Sequence, residues 1–208
     1  MAIFTPIILV TIAYLIGSIA SAILICKLFR LDDPRNEGSG NPGATNMMRL
    51  HGKKLAILTL TGDVLKGVIP VLLAKFFGSS ELIISLCGLA TLLGHLFPIF
   101  FNFKGGKGVA TLIGALLALH WLLGLAYVAT WGLTAFLFRY SSLAALIASL
   151  LTPLYTWLIL KSVNILIPNS IMVVLLLWRH RSNIRNLMTG REDKLGKKKK
   201  QDANIKSQ

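Results

Sequence analysis

ELIISLCGLATLLGHLFPIFF, residues 81–101, ends against FKGGKGVAT, residues 103–111. The first stretch has the roughly 20 apolar residues that a helix needs to cross the hydrocarbon core of a bilayer. The second sets glycines between Lys104 and Lys107, and a new apolar run opens at 109. Moving outward, the alternation repeats. Apolar segments fall at about 4–26, 55–77, 81–101, 109–120, 121–138, 142–160 and 165–178. Two more polar islands, GSGNPGATNMMR at 38–49 and HRSNIRNLMTGRE at 180–192, lie at the ends of such runs. The pattern predicts an all-α integral membrane protein, a compact bundle of about seven transmembrane helices with active-site loops at the cytoplasmic face. The fourth and seventh segments are short for a perpendicular span. Segments four and five meet at His120–Trp121, where a tight turn and a re-entrant hairpin are both open. Merging or demoting these pieces gives a five-span alternative.

The 208 residues are 54% hydrophobic and 14% charged, against about a quarter charged in soluble domains. The net charge of +14 would fit a nucleic-acid binder, but the positions of the charges argue against one. Of the 22 Lys and Arg, the outer loops hold only Lys75 and Lys161, and Lys66 lies inside a span. With the N-terminus outside, all the rest fall on the cytoplasmic side, as the positive-inside rule requires. The expected partners are therefore membrane lipids and an anionic substrate, with no nucleic acid. Residues 1–192 read as one membrane domain. Residues 193–208 read as a basic, disordered cytoplasmic tail resting on anionic headgroups.

The start of the chain imitates a signal peptide: apolar residues 7–16 precede Ala20-Ser21-Ala22. No Lys or Arg precedes the run, and it continues to Ile25, so an uncleaved first span is expected. Gly17, Ser18, Ala20, Ser21 and Ala22 give that span a small-residue face for close helix packing. Cys26 and Cys87 occupy different apolar segments, so no disulfide is expected.

In the first island, Gly38, Gly40 and Gly43 form a G-x-G-x-x-G, and Asp63 lies twenty residues beyond Gly43. A dinucleotide site needs a preceding strand, and here a membrane span and a charged linker precede. The better reading is a loop whose Ser39, Asn41, Thr45 and Asn46 offer polar donors, with Arg49 as a bidentate fork for phosphate. Lys104-Gly105-Gly106-Lys107-Gly108 lacks the Walker A spacing. It reads as an anion cradle before a helix N-terminus, or as a plain basic anchor. In the third island His180 and Asn183 lie one turn apart on a helical continuation of the seventh segment and face the same way. Glu192 is expected to clamp an arginine or a backbone amide. Asp63 and Lys66, at i and i+3 in an apolar segment, are expected to pair inside the bundle. His95 stands alone among apolar neighbours, and His51 and His120 read as interfacial. No spacing marks a metal site, and no cofactor is expected.

Taken together, these islands resemble the acyl-phosphate-dependent glycerol-3-phosphate acyltransferase family of bacterial membranes. The resemblance rests on GSGNPGATN with Arg49, GD-x-x-KG at 62–67, GH-x-FP at 94–98, FKGGKGVAT at 103–111, and HR-x-NI at 180–184 leading to Glu192. It implies an enzyme of the bacterial inner membrane that moves a fatty acyl group from acyl phosphate to the 1-hydroxyl of glycerol 3-phosphate. The product would be lysophosphatidic acid, the first intermediate of phospholipid synthesis. It implies that Ser39 and Arg49 serve catalysis or hold substrate, that Gly105, Gly106 and Gly108 shape the glycerol-phosphate site, that His180 and Asn183 support activity, and that Glu192 supports structure. The enzyme that makes acyl phosphate is a candidate partner.

The residues add two points. An H-x-x-x-x-D pair is absent, because Ala56, Phe100, Leu125 and Arg185 follow the four histidines at that spacing. The His–Asp base of the thioester-dependent acyltransferases is thereby excluded. An acyl phosphate also carries a good leaving group, so positioning and charge neutralisation suffice for most of the catalysis. The alternative is a transporter of a phosphorylated metabolite. It lacks the internal repeat common in such proteins.

Overall fold

The computed structural model describes residues 4–196, and these are helical with no strand. The helices are α1 Phe4–Gly17, α2 Ser21–Leu28, α3 Ala44–His51, α4 Lys53–Phe76, α5 Glu81–Leu96, α6 Val109–Leu119, α7 Trp121–Phe138, α8 Ser141–Leu160, α9 Val163–Arg179 and α10 Arg181–Met188. Four stretches are each long and apolar enough to cross a membrane: Lys53–Phe76, Glu81–Phe101, Trp121–Phe138 and Ser141–Leu160. The bent pairs α1 with α2 and α9 with α10 raise the number to six. The remaining apolar helix, α6, has 11 residues, about half the length a perpendicular crossing needs.

The first apolar segment is not one helix. It breaks after Gly17 and bends by 48° into α2. The break leaves the Ile19 carbonyl outside any helical ladder, and Lys66 Nζ donates to it at 2.8 Å. Just past the break, Ser21 Oγ donates to Asp63 Oδ1 at 2.9 Å. Lys66 and Asp63 pair at 2.8 Å and are both buried, as their spacing predicts. A buried ion pair needs further polar partners to offset lost hydration, and the broken helix supplies two of them.

The third island also departs from expectation. The chain does not continue α9 as a straight helix through His180 and Asn183, but turns by 57° at His180. Both side chains still lie near Lys107 and Glu192: Asn183 bonds the two directly, and their charges act on the buried His180 ring. Between α6 and α7 the tight turn is realised: His120 adopts an extended backbone, and its Nδ1 accepts from Leu122 N–H at 3.3 Å. α7 then folds back with Gly124 against Leu117.

Glycine sets the closest helix approaches. A Cβ at Gly67 of α4 would sit 2.2 Å from the Thr111 carbonyl oxygen, and one at Gly114 of α6 would sit 2.1 Å from that of Val64. Gly17 and Gly94 make the same fit between α1 and α5. A core of Leu92, Leu96, Leu112, Leu116, Tyr127 and Met172 fills the centre, while Phe136, Leu137 and Val174 face outward. One end of the bundle carries Lys75 against the Leu119 carbonyl and Ser162 against Glu81. The three polar islands converge at the other end.

Candidate active site

The first island is folded by its own side chains. Gly38 and Gly40 have left-handed backbones, at φ 63° and 67°, which glycine alone adopts without strain. The buried Asn46 accepts from Ser39 N–H at 3.0 Å and donates to the carbonyls of Pro34, at 2.9 Å, and Glu37, at 3.2 Å. Its amide is thus spent inside the loop, so Asn46 organises the island rather than offering a free donor. Gly43 begins α3, where its carbonyl accepts from Asn46 and Met47 N–H. Thr45 is exposed.

The second island turns back against the end of α5. Gly106 N–H donates to the His95 carbonyl at 3.2 Å, so this amide is already occupied. A Cβ at Gly105 would meet that same carbonyl oxygen, and one at Gly106 would lie 2.4 Å from His95 Nε2. These two glycines make room for His95 and its backbone, and Gly105 also lines the cleft between the islands. Gly108, at φ 88°, starts α6. Beneath the loop, His95 Nδ1 lies 3.1 Å from Thr111 Oγ1 and 3.8 Å from Asp63 Oδ1. His95 is therefore not a lone polar group. It belongs to the Asp63–Lys66 cluster.

Arginines tie the islands together. Arg35 forks onto Asp33, with Nη2 to Oδ2 at 2.6 Å, and its Nη1 donates to the Phe101 carbonyl at 3.1 Å. The guanidinium holds the Asp33 carboxyl below its usual range. Arg179 donates through Nε to the Gly106 carbonyl, at 3.0 Å, and through Nη2 to that of Gly105, at 2.6 Å. Lys104 is exposed, with its carbonyl against Arg35.

A cleft of about 230 Å³ opens between the islands, lined by Ser39, Gly40, Asn41, Gly105, Lys107, Arg179, Arg181 and Ser182. All three islands contribute, and the charged groups in the lining are cationic. Lys107 Nζ donates to Asn183 Oδ1, and Asn183 Nδ2 donates to Glu192 Oε1 at 2.7 Å. Burial lowers the Lys107 ammonium pKa; Glu192 opposes this, and Arg179 and Arg49 add to it. Glu192 clamps Asn183 and Ser142, not the arginine or backbone amide expected of it. His180 is buried, with Nδ1 2.8 Å from the Leu176 carbonyl. Arg49 lies outside the cleft lining and pairs with Asp193 at 3.4 Å. A cationic, glycine-walled cleft at the end of an apolar bundle fits a phosphorylated ligand presented at a membrane surface. Among the described residues no cluster of His, Cys, Asp and Glu could hold a metal ion.

The family profile described as glycerol-3-phosphate acyltransferase matches residues 7–190. The chain belongs to that family. A glycerol-3-phosphate acyltransferase of Methylococcus capsulatus is 50% identical over 191 residues, covering 92% of this chain and 96% of its own. One from Hydrogenovibrio crunogenus is 52% identical over 186 residues, 89% of each chain. The crystal structure of PlsY (YgiH), an integral membrane glycerol 3-phosphate acyltransferase, is 42% identical and covers 92% of this chain and 96% of that one. Its TM-scores are 0.88 in the glycerol 3-phosphate form and 0.85 in the lysophosphatidic acid form. The chain is accordingly an integral membrane protein of an acyltransferase family, which leaves the transporter reading without support.

Several residues that shape the cleft and its surroundings were not singled out from sequence. Arg179 and Arg181 flank His180 and were legible only as its charged neighbours. Arg35 sat in a linker of mixed charge, where Asp33 two residues earlier was the available signal. Ser142, which donates to Glu192 at 2.6 Å, carries no sequence signal at all.

Proposed function

We propose that this protein transfers a fatty acyl group from acyl phosphate to the 1-hydroxyl of glycerol 3-phosphate, releasing lysophosphatidic acid and phosphate. The observation that carries the proposal is the cationic cleft. Lys107, Arg179 and Arg181 face one space walled by Ser39, Gly40 and Gly105, in a chain whose fold matches a glycerol 3-phosphate form. Lys107 and Arg179 would neutralise phosphate, and Ser39 and Asn41 would hold hydroxyl or phosphate oxygens. Arg49 would leave Asp193 for the second phosphate. The 1-hydroxyl oxygen attacks the acyl carbon, and the bond from that carbon to the bridging phosphate oxygen breaks, its electron pair leaving with phosphate. The hydroxyl proton passes to a phosphate oxygen. No cofactor is required.

Seven crossings place this cleft at the cytoplasmic face, with the N-terminus outside and the C-terminus inside. The short α6 would complete the seventh, with the glycine loop folded in above it. Residues 193–196 contact the bundle, through Arg49 to Asp193 and Arg139 to Leu195. The rest of the basic tail expected to rest on headgroups lies outside the described residues. The test is purified protein supplied with acyl phosphate and glycerol 3-phosphate, followed for phosphate and lysophosphatidic acid. Stoichiometric appearance of both supports the proposal. Transfer only from acyl thioesters would overturn the assignment of the donor.

A further inference from the structure

Resting on that reading, we infer that Ser142 is a positioning residue for the glycerol-phosphate site, acting through Glu192 on the Asn183 amide and so on Lys107. Ser142 lies in the first turn of α8 and is buried. Its Oγ donates to Glu192 Oε1 at 2.6 Å. The same oxygen accepts from Asn183 Nδ2 at 2.7 Å, and Asn183 Oδ1 accepts from Lys107 Nζ. Four side chains from α8, the C-terminal segment, α10 and the glycine loop form one chain of hydrogen bonds.

The chain has a direction fixed by chemistry. A carboxylate only accepts, and an ammonium only donates. Between them the amide can face only one way, with NH2 to Glu192 and oxygen to Lys107. Glu192 imposes that orientation only while it is itself held, and Ser142 holds it. The N-terminus of α8 favours the same placement of negative charge. Without Ser142 the carboxylate can swing away, Asn183 can flip, and its NH2 then confronts the Lys107 ammonium donor to donor. Lys107 lines the cleft, so the loss is read where it would hold the phosphate of glycerol 3-phosphate.

The experiment measures KM for each substrate, kcat and thermal unfolding for full-length wild type, Ser142→Ala, Ser142→Thr, Glu192→Gln and the Ala–Gln double variant. Wild-type turnover from acyl phosphate first establishes the underlying reading on its own. Ser142→Ala is then expected to raise KM for glycerol 3-phosphate up to about tenfold, the size of a typical net hydrogen bond, with the unfolding temperature and the KM for acyl phosphate little changed. Ser142→Thr, which keeps the hydroxyl, should restore the wild-type value. The double variant should be no worse than Glu192→Gln, since both substitutions break one chain. If Ser142→Ala fails to insert, Ser142→Cys keeps the volume with a weaker donor and is judged by the same readings. Wild-type KM in the tested variant, additive losses in the double variant, or a rise confined to acyl phosphate would each overturn the inference.

Discussion

His180 is 3% exposed, and its Nδ1 lies against the Leu176 carbonyl. Burial, with Lys107 and Arg179 nearby, pushes its pKa down from 6.5 to about 4 despite the opposing hydrogen bond and Glu192. The neutral imidazole is thereby favoured over the imidazolium, and the proposed transfer needs no histidine base titrating near pH ~6.5. The expected outcome is that His180→Gln retains measurable turnover while Arg49→Ala loses nearly all. The pH–rate profile should lack a limb that vanishes in His180→Gln; such a limb, with His180→Gln as inactive as Arg49→Ala, would make His180 the base. The same shift bears on stability. The folded pKa is depressed, so this contribution is complete above about pH 6.5 and is lost as pH falls toward 4. Unfolding temperature should drop over that window less steeply in His180→Gln. At this scale the sequence revealed which residue types would meet, because Ser39, Asn41, Gly105 and Lys107 announce an anion site by composition. It did not reveal which atoms were already committed. Asn46 and the Gly106 amide look like free donors on paper, and only the folded loop shows that Pro34, Glu37 and His95 have taken them.

Helices α4 and α6 meet backbone to backbone at Gly67 and Gly114, and α6 follows directly on the glycine loop. Adding a methyl at Gly114 would bring it to 2.1 Å from the Val64 carbonyl and 3.2 Å from Gly67 Cα. Neither atom belongs to a flexible side chain, so the helices must separate. Gly114→Ala is expected to cost about 1–3 kcal/mol and to lower activity by displacing Lys107. Gly132 of α7 is the matched control, because a methyl there meets nothing within 4 Å. Gly132→Ala should leave unfolding temperature and activity near wild type. Equal effects of the two substitutions in a thermal unfolding assay would remove the α4–α6 contact from this role. Apolar run lengths gave the long helices to within a few residues, but α3, which carries Thr45, Asn46 and Arg49, was read as loop because its eight residues hold no apolar run. The two bends were not legible, since each depends on a distant partner. The break after Gly17 serves Lys66, 47 residues along the chain from Ile19, and the turn at His180 carries Asn183 to Lys107, 76 residues away.

For the whole molecule, the decisive question is whether the three islands share one side of the membrane. Their mutual contacts place them at one end of the bundle: Arg35 reaches Phe101, Arg179 reaches Gly105, and Lys107 reaches Asn183. The opposite end is marked by Lys75 against Leu119 and Ser162 against Glu81. Basic residues concentrate at the first end, and the positive-inside rule predicts a cytoplasmic location for it, which labelling can test. Both native cysteines, Cys26 and Cys87, are buried, so single engineered cysteines can be labelled with little background. Cysteines at 36, 104 and 194 are expected to react with a membrane-impermeant thiol reagent only after the cytoplasmic face is opened. Those at 79 and 163 should react in intact cells. α1 starts toward the far end, with Leu9 and Val10 packed in one cluster with Ile83 of α5, so a tag ahead of Phe4 should also be accessible from outside. Opposite sidedness for 36 and 104 is impossible while Arg35 bonds the backbone of the second island. That result would break the single cleft into two half-sites and with it the proposed transfer.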